Sequence, residues 1–77
     1  MEIIFNREEL WQIEAGFYFL VVEVDNERVI FEYLDEHANK MGIKKTMLLS
    51  VAQQTAEQYR WELRTNSYTE SWPDTVE

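Results

Sequence analysis

FYFLVVEVDNERVIFEYL, residues 17–34, decides the fold. Phe17 to Val24 is aromatic and β-branched with nothing to break it, the composition that suits a pleated, half-buried strand. Asp25-Asn26 supplies a tight turn, since both residue types tolerate positive φ. Val29 to Leu34 returns as the partner strand. A two-residue loop at Asp25-Asn26 sets Val22 opposite Val29 and Leu20 opposite Phe31, and it makes Glu23 and Arg28 a cross-strand charge pair. One face then reads Tyr18, Leu20, Val22, Val24, Val29, Phe31 and Tyr33, the expected core. The other carries Phe17, Phe19, Val21, Ile30 and Leu34 beside Glu23, Arg28 and Glu32. That is too apolar for a solvated face, so a further element or a partner is expected to cover it.

The flanks read as helical. Glu2 to Phe5 is a short β-like opening. Asn6 with Glu9 three residues on forms an Asn variant of the capping box, which predicts a first helix over Arg7–Glu14 closed by Gly16. Asp35 caps a second short helix through Met41, ended by Gly42. A long helix follows over Lys44–Thr65. At 100° per residue its apolar stripe is Leu48, Val51, Ala52, Thr55, Ala56, Tyr59 and Leu63, the natural cover for the hairpin. Trp61 falls on the far side among polar residues, where a tryptophan has the character of an interface anchor. The fold class expected is therefore α+β: an antiparallel hairpin, three-stranded if the amino-terminal strand joins, against a long carboxy-terminal helix. Residues 1–66 form one domain and 67–77 an acidic tail that is extended or partly disordered.

At 77 residues the chain allows one small core, and three Trp, four Tyr and four Phe furnish it. No cysteine is present, which excludes disulfides, thiolate metal sites and a cysteine nucleophile. The amino terminus has no basic, apolar leader pattern, and the longest apolar run, Phe17–Val22, is far below the ~20 residues of a membrane helix. These features predict a cytoplasmic protein with no membrane partner.

The formal net charge is −8, unevenly placed: residues 1–36 hold ten acids and two bases, residues 37–66 two acids and five bases. Direct nucleic-acid binding is not expected, because it needs a clustered basic surface. Lys40, Lys44 and Lys45 read as a solvated face. Catalysis finds no footing: His37 is the sole histidine, Ser50 has no base beside it, and there is no G-x-S-x-G elbow or phosphate loop. Glu8-Glu9 and Asp35-Glu36 suit helix amino termini better than acid–base work. Asp35, Glu36 and His37 are too few and too poorly spaced for a metal, so no cofactor is expected.

Two features remain. Glu14, Glu23, Asp25, Glu27, Glu32, Asp35 and Glu36 lie on and around the hairpin, where alternate strand residues stand about 6.7 Å apart. Such a row can occupy a basic groove meant for nucleic acid, as a DNA mimic does. Unexplained aromatic surface, Trp61 above all, could anchor a complex. Small size, acidity and the lack of catalytic groups are similar to the inhibitor proteins that phages use against host nucleases and defence complexes, and to acidic immunity proteins paired with bacterial toxins. That resemblance is compositional and covers no motif. The expected function is a non-enzymatic inhibitor docking on a basic surface of a protein partner through Glu23, Asp25, Glu27, Glu32, Asp35, Glu36 and Trp61. The alternative is an assembly subunit that homodimerises through the second hairpin face or the long helix.

Overall fold

A computed structural model of the chain describes residues 3–14, 16–69 and 72. It is an α+β fold in which one antiparallel sheet is packed on one side by a helix. The strands are β1 (Leu10–Glu14), β2 (Phe17–Val24), β3 (Arg28–Leu34), β4 (Lys40–Leu48) and β5 (Glu62–Thr65), with α1 (Leu49–Tyr59) between the last two. The sheet order is β4-β3-β2-β1-β5. The first four strands are a meander. The helix then carries the chain back over three strands, so that β5 pairs with β1.

The hairpin forms as expected, but its turn lies one residue further on. Val24 pairs with Val29, and the Asp25 N–H donates to Arg28 O at 2.9 Å, leaving Asn26-Glu27 as the loop. Asp25 is the cap of the turn rather than part of it: its Oδ1 accepts the Glu27 and Arg28 N–H groups, both at 2.8 Å. Four residues away the register slips again, because Val22 is an extra residue between the Val21–Phe31 and Glu23–Ile30 pairs. A bulge of this kind inverts side-chain parity on the bulged strand. The helix-side face is therefore Phe19, Val21, Val24, Val29, Phe31 and Tyr33, and Tyr18 and Leu20 lie on the other. Glu23 stands opposite Ile30 and Arg28 opposite Leu48, so the expected Glu23–Arg28 pair does not form across the ladder.

Three expected helices are corrected. Arg7–Glu14 is a turn followed by β1. Glu9 does bond back to the Asn6 N–H, at 2.9 Å, as a capping box would, but the bond closes a tight turn in which Glu8 has φ 72°. Leu10 and Trp11 then alternate between the two faces, a period of two rather than 3.6. The expected strand partner in the opening segment is likewise replaced: Ile3–Phe5 joins no strand, and Glu2 lies outside the described residues. Asp35–Met41 is a turn leading into β4. The long helix is eleven residues only. Lys44–Leu48 pairs with Arg28–Glu32, and Glu62–Thr65 with β1, because open sheet edges need backbone partners more than these residues need helix.

The helix presents small residues to large ones. Ala52 and Ala56 are fully buried over a cluster of rings, whereas Val51 and Tyr59 of the expected stripe are exposed. Phe31 meets Phe5, Phe19 and Trp61 with centroids 5.3, 4.7 and 5.8 Å away. Edge-on and offset pairs of this kind add about 1 kcal/mol each beyond the area they bury. Arg60 ends the helix in the left-handed region, φ 58°, and the Trp61 N–H returns to Ala56 O at 2.9 Å.

The second sheet face is covered in part by the chain itself. Leu10, Leu20, Leu34 and Ala38 form a buried cluster with Tyr18, Tyr68 and Trp72 packed against it. Tyr68 donates from its hydroxyl to Ala38 O at 2.9 Å and from its backbone to Glu8 O at 2.8 Å. Trp72 sits edge-on to Tyr18, 5.6 Å between centroids. The remainder of the segment expected as a tail, residues 70, 71 and 73–77, lies outside the described residues. No helix among the described residues is long and apolar enough to cross a membrane.

Candidate protein-binding surface

The seven residues singled out from the sequence separate into four places. Trp61 is not on a helix. It follows α1, and its half-buried ring packs on Phe5, Phe19 and Phe31, so it belongs to the core. Glu32 is buried on the second face, in register between Leu20 and Lys44, and is not displayed to a partner. Glu23, Asp25 and Glu27 stand at the β2–β3 tip. Asp35 and Glu36 stand at the other end of β3, seven residues away, about 23 Å at the usual strand rise.

The two ends share a construction. At the tip Asp25 holds the turn, and the N–H groups of Glu27 and then Arg28 keep its carboxyl below the ordinary carboxylate range. At the other end Asp35 Oδ1 accepts the His37 N–H at 2.8 Å and the Asn39 N–H at 3.0 Å. The Asn39 bond is the main cause that lowers the Asp35 carboxyl, against partial desolvation, with the His37 bond adding to it. The Asp35 N–H donates to Asn39 O and the Ala38 N–H to Asp35 O, so both strands are tied to this turn. Each aspartate is ionised and spent on backbone, and it makes a rigid mount for the glutamates beside it.

Cations accompany the acids at both ends: Arg60 lines a shallow depression with Glu14, and Lys40 pairs with Leu34 beside Asp35. Beside the tip, Arg7 and Arg28 line one depression of about 500 Å³ with Glu23 and Asp25, so cations offset the acids there. At the opposite end the β1–β2 and β3–β4 connections lie side by side. Glu36 reaches over Gly16, whose absent Cβ would lie 3.9 Å from the Glu36 Cβ, and Glu14 is two residues before that glycine. Glu14, Asp35 and Glu36 thus gather at one end. Glu14 and Glu36 are exposed there, and the His37 imidazole lies 3.5 Å from the Glu36 carboxylate. Glu14 belongs to the acidic row visible in the sequence, but its place near Glu36 depends on the connection at Gly16, expected as a helix end, and on the Asp35 turn, expected as a helix.

His37 lines neither that depression nor another of about 520 Å³ beside the helix start, and both are open to solvent. Among the described residues no group of three His, Asp or Glu side chains is placed to hold a metal ion. No protein-family model matches the chain, and no curated protein or solved structure is detectably similar to it.

Proposed function

We propose that the chain is a non-enzymatic protein-binding module of the inhibitor type, which docks its Glu14–Asp35–Glu36 end on a basic, nucleic-acid-handling surface of a partner protein. The observation that carries this reading is the turn-mounted acidic end of a chain whose net charge is −8. Negative potential held on rigid backbone steers encounter with a basic groove and pays little ordering entropy on contact.

The test is affinity capture from native host cells with the natural chain and with a Glu14→Gln, Asp35→Asn, Glu36→Gln variant, each in low and moderate salt. A partner that handles nucleic acid, retained by the natural chain and lost with the variant or with added salt, is the expected result. A Glu23→Gln, Glu27→Gln variant at the tip should retain it. Identical retention by all three chains would end the electrostatic reading. A second reading, assembly with its own kind, draws on the exposed Met41, Ile43 and Leu48 of β4. Sedimentation showing a concentration-dependent dimer insensitive to salt would favour it.

A further inference from the structure

The sheet has two edges, and β4 is the long one, nine residues against four in β5. Its ladder with β3 shows which backbone groups are in use. The Leu49 N–H donates to Glu27 O at 2.7 Å, and on the other side of β3 the Asp25 N–H donates to Arg28 O. Antiparallel alternation from these two anchors makes Val29–Met47 and Phe31–Lys45 the bonded pairs. The N–H and C=O groups of Lys44 and Thr46 and the N–H of Leu48 therefore point away from β3, towards the open edge, while the Leu48 C=O begins the hydrogen bonding of α1. Regular pairing stops where the register shifts opposite Gly42, φ 76°, so the usable template is Lys44 to Leu48.

Charge selects what fits this template. Lys44 and Lys45 are two of only seven cations in an acidic chain, and they project to opposite faces of the same edge. Lysine on an edge strand opposes pairing with a like strand. A second copy added here would gather four lysines on one narrow ribbon. A strand carrying carboxylates gains what a like strand loses. Leu48, 56 % exposed, offers the one large apolar contact at the end of the template.

We propose that the Lys44–Leu48 edge of β4 is a docking site for an extended acidic segment of a partner protein, which adds to the sheet as a sixth strand. The outward N–H and C=O groups of Lys44 and Thr46 and the N–H of Leu48 supply the main-chain bonds. Adjacent acidic residues of the incoming strand meet Lys44 on one face and Lys45 on the other. This surface is separate from the acidic end at Asp35 and involves the opposite charge, so either can fail alone.

The test titrates the isotopically labelled full chain with an octapeptide of threonine and valine carrying two adjacent glutamates. The same peptide with lysines in their place is the control. The glutamate peptide should shift the Lys44–Leu48 resonances and protect the Lys44, Thr46 and Leu48 amides from exchange. A Lys44→Glu, Lys45→Glu chain should bind it tenfold or more weakly, since two attractive cross-strand pairs become repulsive. Thr46→Pro removes one outward donor and no internal bond. It should keep its fold, read from its spectrum, and lose binding. Equal binding of the lysine peptide, binding retained by a folded Thr46→Pro chain, no shifts at about 1 mM peptide, or a dimer whose β4 amides are already protected would each overturn the proposal.

Discussion

Glu9 is the most informative residue to perturb, because its carboxylate is buried and its three donors differ in what they can do without it. Only 5 % of the residue is exposed. Oε1 accepts both the Asn6 N–H at 2.9 Å and the Trp11 Nε1–H at 3.0 Å, and Oε2 accepts Asn6 Nδ2 at 3.1 Å. In Glu9→Ala the exposed Asn6 amide turns to water at little cost. The Trp11 indole N–H cannot, and a stranded buried donor costs about 2 kcal/mol. Losing the bond that closes the Asn6–Glu9 turn adds about 1 kcal/mol. The total of about 3 kcal/mol corresponds to a fall in Tm of roughly 15 °C for a domain of this length. Glu9→Gln keeps an oxygen where Oε1 was and sacrifices the Asn6 Nδ2 bond, so it should cost about 1 kcal/mol. Urea and thermal unfolding followed by circular dichroism measure both. In a Trp11→Phe background the donor is gone, and the cost of Glu9→Ala should shrink by about 1–2 kcal/mol. Equal costs for the Ala and Gln variants, or no coupling to Trp11, would refute the assignment of Glu9 as the indole's acceptor.

Two further expectations concern packing and acid. Ala56→Leu forces a branched side chain between α1 and the rings beneath it, a fully buried site, and should lower stability by about 1–3 kcal/mol in urea titrations. Asp25 and Asp35 have folded pKa values below their ordinary value of 3.8, so their contribution is fully present above that pH and is lost as pH falls through the lowered values. An Asp25→Asn, Asp35→Asn chain keeps acceptor oxygens but cannot titrate there. Its urea midpoint should fall less steeply than that of the natural chain below about pH 4; matching slopes would show that the two turns are not coupled to protonation.

The sequence announces some of this architecture clearly. The hairpin is legible because residues 17–24 and 29–34 have no competing conformation, and Val29, Phe31 and Tyr33 take the face expected of them. The partner strand's parity was not legible. An extra residue at Val22 reverses it, and no residue type there marks a bulge. Asn6 and Glu9 make the bond that a capping box makes, so the local signal was real while the helix it implied was not. Lysine, methionine and leucine over residues 44–48 favour helix intrinsically, yet the unpaired edge of β3 is a stronger claim on them. Ala52 and Ala56 were correctly assigned to the buried stripe. The charges could be counted in advance, but their grouping could not, since only the β1–β2 and β3–β4 turns bring Glu14 and Glu36 to the same end of the sheet.

The pairing of β5 with β1 has a consequence for synthesis. Residues from opposite halves of the chain complete the sheet: Thr65 lies against Leu10, and Tyr68 binds Glu8. A nascent polypeptide that has released only the meander from the ribosome exposes an unsatisfied β1 border and an uncovered ring cluster, awaiting α1 and Trp61. The last step of assembly is therefore long-range closure, slow relative to the hairpins that precede it. During that interval the growing chain depends on its own negative charge, concentrated in the first 36 residues, to keep neighbouring copies apart.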